Sequence, residues 1–173
     1  MKEVLAVIAL TAMSAVCSTP AGSSPPSATD RCDAVQMPDL QGGEHLIGDR
    51  EPPVPYSSTP PTSGWHSSGA FDIAIQPAAD PLTEAEQVIV LEAGGVVVTV
   101  NNLDGGDQVT LEQRVAERYA GRVAVTSYDK LGQGEVAFTG WGVVQQCEGV
   151  DLEALDAFVA AYADERPANP GDQ

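Results

Sequence analysis

A chain of 173 residues with 43% hydrophobic content can build the core of one domain, and a net charge of −17 argues against nucleic acid and anionic lipid headgroups as partners, because so negative a surface repels phosphate. The charge comes less from excess acid than from scarce base: Lys2 and Lys130 are the only lysines, and six arginines complete the cations. Solubility or salt adaptation explains that balance more simply than an acidic patch for a basic partner.

Val4 to Val16 is the one long apolar run. It has the length of a signal-peptide core and is short for a membrane span. Cys17 follows it, and a Ser/Pro/Ala/Gly-rich tract follows Cys17. The arrangement resembles a bacterial lipoprotein: residues 1–17 would be the signal peptide, Cys17 the lipidated residue and 18–36 a flexible tether. Val16 stands where that pattern wants a small residue, so cleavage after Ser14 or Cys17 and free secretion is the alternative. Either way the chain is expected to be exported, with a lipid anchor as its only membrane contact. If Cys17 carries lipid, Cys32 and Cys147 remain as an even pair. A disulfide between them would close a loop long enough to stabilise the fold by roughly 4–5 kcal/mol on chain-entropy grounds. Two buried free thiols are the other possibility.

The globular domain is expected over residues 37–166, with a disordered tail at 167–173. Gly42 to Gly48 suggests a turn and a short strand. Tyr56 to His66 reads as a long ordered loop, since Pro60 and Pro61 fix φ and remove two donors, and Gly64 permits a sharp turn that aims Trp65 and His66. Phe71 to Gln76 alternates weakly, as a short strand would. Asp80-Pro81 has the form of a helix N-cap with Pro behind it, opening a turn or two through Glu86.

Gln87 to Asn101 carries two β-branched runs separated by Glu92-Ala93-Gly94-Gly95, and reads as a strand buried on both faces with a bulge at the glycines. Thr110 and Gln113 form a capping-box pattern at the head of a helix that Gly121 stops. Arg122–Tyr128 and Glu135–Gln146 read as two strands of a hairpin. Asp151 caps a last helix with Leu152, Leu155, Phe158, Val159 and Tyr162 as its apolar stripe, ended by Pro167. The order β-α-β-β-α predicts a single α+β domain, a small mixed sheet with helices packed on it, preceded by the long ordered loop region.

Several stretches together resemble a known family: Gly43-Glu44-His45, Pro60-Pro61-Thr62-Ser63-Gly64-Trp65-His66, Val88 to Gly94, Trp141-Gly142, and Phe158 with Tyr162. The family is domain of unknown function 3105, found in exported or membrane-anchored bacterial proteins. The resemblance covers about residues 41–166 and implies fold and location, with no established activity. The family's Leu-Glu stretch normally carries two flanking histidines; Ile89 and Ala93 stand there in this chain, while His45, His66 and Glu92 remain.

The family pattern invites a zinc or copper site, for which His45, His66 and Glu92 would be the ligands here. The strand reading opposes it. On a strand Ile89, Leu91 and Ala93 share one face, and Glu92 points to the other unless the glycines bulge. Ile89 and Ala93 also offer no donor, and the chain holds two histidines in total, so no metal and no other cofactor is expected. Ser63 lies three residues before His66, but no Gly-x-Ser-x-Gly elbow or orienting acid accompanies it, and it reads as a turn residue. A thiol oxidoreductase would want Cys-x-x-Cys, which is missing. The reading that remains is a non-catalytic envelope module that binds an unidentified envelope protein or small ligand, with His45, His66, Glu92 and Trp65 as candidate contacts. A metal-binding domain that has lost part of its site is the alternative.

Overall fold

The computed structural model describes residues 29–167, except 43, 49 and 70. Cys17, the signal peptide, the first part of the tether and residues 168–173 lie outside the described residues. The elements in chain order are β1 (His45–Leu46), β2 (His66–Ser67), α1 (Glu84–Glu92), β3 (Val96–Val100), α2 (Gly105–Arg118), β4 (Val123–Ser127), β5 (Val136–Gly140), β6 (Val143–Cys147) and α3 (Leu152–Tyr162). This is the α+β domain the pattern predicts.

The main sheet has the order β4-β3-β5-β6 and is mixed: β3 runs parallel to β4 and antiparallel to β5, and β5 pairs antiparallel with β6. Strand β3 is buried along its whole length because both its faces are covered. By the period of two, Val96, Val98 and Val100 face the larger core with Leu111 and Val115 of α2 and Leu155 and Phe158 of α3. Val97 faces the other way, into a smaller cluster with Ala124 of β4, Leu82, and Val90 and Leu91 of α1.

Both sheet edges are covered by irregular chain, which removes the free strand edges a second molecule could extend. Beside β4, Gln76 N donates to Val125 O (2.8 Å) and Val125 N to Ala74 O (3.3 Å). The expected strand at 71–76 is thus a single parallel bridge, Ile75 to Val125. Beside β6, Asp33 N donates to Gln146 O (2.9 Å), and Gln36 and Val144 exchange bonds of 2.8 and 3.0 Å. Residues 29–36, expected in the tether, therefore belong to the folded unit, and the boundary set at 37 falls too late. The Cys32–Cys147 disulfide fixes the same edge, with S–S 2.04 Å across a sequence separation of 115.

Further expectations are corrected. The strand expected over 87–101 is a helix followed by a strand. Four consecutive apolar residues do not distinguish the two, and the terminal signals decide. Thr83 and Glu86 form a reciprocal capping box, so the helix starts at Thr83 and not at Asp80-Pro81. At the other end Gly95 N donates to Val90 O (2.8 Å) and Gly94 N to Leu91 O (2.9 Å), with Gly94 at φ +86°. That double bond is the Schellman pattern, so the glycines close a helix and make no bulge. Helix α2 begins five residues before Thr110, capped by Asp104, whose side chain accepts from Gly106 N and Asp107 N. Thr110 Oγ1 lies within the helix and donates to Gly106 O (2.8 Å).

Residues 135–146 form a hairpin on their own, turning at Trp141-Gly142, and β3 lies between β4 and β5. Finally, α3 starts at Asp151 as expected but ends at Tyr162, ahead of Pro167. Thr29 Oγ1 donates to Asp151 Oδ2 (2.9 Å) at the start of α3, and Asp164 N donates to Gly94 O (2.8 Å) just beyond its end. Among the described residues no helix is long and apolar enough to cross a membrane.

Candidate functional site

The Pro-Pro-Thr-Ser-Gly loop is buried, and polar ties seat it. Residues Pro60 to Gly64 are all inaccessible, and the Thr59–Pro60 peptide is cis. Thr62 O accepts from Gly142 N (2.9 Å), which fastens the loop to the β5–β6 turn. Ser63 Oγ accepts from Gln41 N (3.0 Å), in the turn role its context suggests.

Gln41 is the hub that the sequence reading missed. Its Nε2 donates to Pro55 O (2.8 Å) and its Oε1 accepts from Ser57 N (3.0 Å), so one side chain clasps the base of the loop spanning 42–55. A Cβ on Gly64, at φ +115°, would lie 2.9 Å from Gln41 Oε1, which excludes any larger residue there. Tyr56 OH donates to Trp65 O (2.7 Å), and burial, with the Glu84 charge nearby, pushes the Tyr56 hydroxyl up to about 12.

This clasped loop delivers two imidazoles to one place. Strands β1 and β2 pair in parallel with His45 opposite His66, and the two rings meet edge-on, 86° apart in plane and 4.8 Å between centroids. His66 is fully buried; His45 is exposed. Glu92, the last residue of α1, brings a carboxylate oxygen to 2.7 Å from His66 Nε2 with 36% of its side chain exposed. One ligand atom from each of His45, His66 and Glu92 lies within 4.8 Å of the others.

The helix makes this convergence possible. On α1, Ile89, Glu92 and Ala93 stand at i, i+3 and i+4 and share one side, whereas a strand would have sent Glu92 away from the other two. Trp65 joins the arrangement through its backbone carbonyl, and its half-buried side chain is not one of the gathered donors. Trp141 packs against the small core under α1.

The protonation of His66 follows from its partners. Its Nδ1 lies 3.0 Å from Gly64 O, and a carbonyl can only accept, so Nδ1 carries a proton. In the neutral ring Nε2 is then a lone pair set against a carboxylate lone pair at 2.7 Å, which is repulsive. Among the described residues Nε2 makes no hydrogen bond of good geometry, and its nearest polar neighbour is the Glu92 carboxylate. A cation off the Nε2–Oε2 line would engage all three groups once their ligand atoms, now within 4.8 Å of one another, are drawn closer. The last turn of α1 itself holds no basic side chain, and the Arg166 side chain lies against Gly94 at its C-terminal cap.

No curated protein and no solved structure matches the chain. The profile of one family, described as "Protein of unknown function (DUF3105)", matches residues 49–173. The matched range holds His66 and Glu92 and starts after His45. The family that the Pro-Pro-Thr-Ser-Gly-Trp-His stretch suggests is thus the one found, and the chain belongs to the DUF3105 family.

Proposed function

We propose that this chain is an exported, non-catalytic binding domain whose His45–His66–Glu92 cluster holds one divalent transition-metal ion. Two imidazoles and one carboxylate suit zinc or copper. The observation that carries the reading is the buried Nε2 of His66, aimed at a carboxylate and a second imidazole with no hydrogen bond of its own. The expectation of no metal rests first on Ile89 and Ala93, which offer no donor, and that objection stands. The second ground, that Glu92 points away from the site, goes with the strand. Three protein ligands leave a coordination position for water or for an outside ligand. A net charge of −17 draws cations to the surface. In this reading the domain is tethered through Cys17 or freely secreted, and its partner is an envelope protein or small ligand that meets the open side.

The test is titration of metal-stripped protein with Zn(II), read by calorimetry, with bound metal counted by elemental analysis. One zinc per chain is expected. His66→Ala should abolish binding, and Glu92→Gln, which removes the charge and keeps the shape, should weaken it by roughly 10–100-fold or more. Failure of the unmodified protein to take up zinc or copper would mean that His66 and Glu92 are a structural ion pair.

A further inference from the structure

The three ligands are not equally anchored. His66 follows the buried Pro60–Gly64 run, and Glu92 ends a helix packed on the sheet. His45 sits on the 42–55 loop, whose hold on the body is slight. Strand β1 is two residues long and pairs only with β2. Leu46 is the one buried residue among the described residues of that loop, while His45, Ile47, Arg50 and Val54 are exposed. A half-open pocket of about 470 Å³ lies between this loop and the start of α1, lined by Leu46, Arg50, Tyr56, Ser67, Thr83 and Glu84. Gln41 fastens the base of the loop and leaves its far part to β1 alone.

Resting on the metal reading above, we infer that the ion is a latch: binding at His45, His66 and Glu92 fixes β1 and its described neighbours against the body, and losing the ion releases them. The body contributes a preformed half-site, His66 with Glu92, and the loop contributes the third ligand. An ion that gains a ligand only when the loop is docked binds the docked state more tightly, and must shift the equilibrium toward it.

Hydrogen exchange read by mass spectrometry on the full chain, with and without Zn(II), tests this. Strand β3 serves as the internal reference. With zinc at about 100 times its dissociation constant, amides over residues 44–48 should exchange at least about tenfold more slowly, and those of β3 should not change. In His45→Ala, held at zinc levels that still load the His66–Glu92 pair, the slowing should disappear. One zinc bound per chain with loop exchange unchanged, or slowed equally in His45→Ala, would overturn the latch and leave the metal reading standing. No zinc bound at all would overturn both.

Discussion

The two faces of the sheet are held by different means. On the α2–α3 face, Val96, Val98, Leu111, Val115, Phe138 and Phe158 interlock in one continuous apolar cluster. On the α1 face the apolar cluster is small, and the long loop beyond it is seated by side-chain hydrogen bonds from Gln41, Ser63 and Tyr56. Apolar packing is non-directional and tolerates drift of a side chain, whereas hydrogen bonds fix atoms to a few tenths of an ångström. A site that must bring two imidazoles and a carboxylate together needs the second kind of support. The α2–α3 face supplies stability, and the α1 face supplies position.

Substitutions separate the two roles. Phe158→Ala removes a fully buried ring that contacts Phe138 and Tyr162, and should cost about 3–5 kcal/mol in urea unfolding. Zinc affinity of the fraction that remains folded should be unchanged; a parallel loss of affinity would break the division between the faces. Gln41→Ala should cost less, about 0.5–1.5 kcal/mol, because it removes the bonds to Pro55 O and Ser57 N, which are exposed enough for water to replace them. It should nevertheless weaken zinc binding more than Phe158→Ala does, since it loosens the loop that carries His45. Equal or smaller weakening would show that Gln41 merely adds stability.

The smallest effect is expected in alkali. The Tyr56 hydroxyl titrates at about 12 in the folded chain and near 10 when unfolded. Its contribution is therefore complete below pH 10 and is lost as the pH rises toward 12. Denaturation midpoints measured over that window should fall less steeply in Tyr56→Phe than in the parent. An identical slope would remove Tyr56 from the alkaline response and leave it to Tyr128, which burial and its hydrogen bond to Glu84 also push upward.

Much of the α2–α3 face was legible in the sequence. The stripe from Leu152 to Tyr162 carries its period openly, the run at Val96 to Val100 marks a strand by its β-branched composition, and Asp151 marks its helix start without competition. Val88 to Leu91 was misread because an apolar tetrad buried on all sides has no period to read. The deciding marks, Thr83 with Glu86 and the Gly94-Gly95 pair, flanked the run and pointed to a helix. That one error reversed the view of the site, since the side on which Glu92 emerges depends on whether the residues before it turn by 100° or by 180°. Gln41 could not have been singled out: an amide that clasps a loop across 14 and 16 residues leaves no local pattern. The pairing of His45 with His66 is likewise a product of the fold, since a two-residue ladder has too little sequence to announce itself.

Helix α3 also sets a polarity for the whole domain. Thr29 meets its first turn at Asp151, and Asp164, just past its last turn, meets Gly94, two residues beyond Glu92. Eleven residues of helix make a rod of about 16 Å. The chain therefore enters the fold at one pole, and the imidazole–carboxylate seam lies toward the other. A group held at Thr29 would thus stand about one length of α3 from that seam.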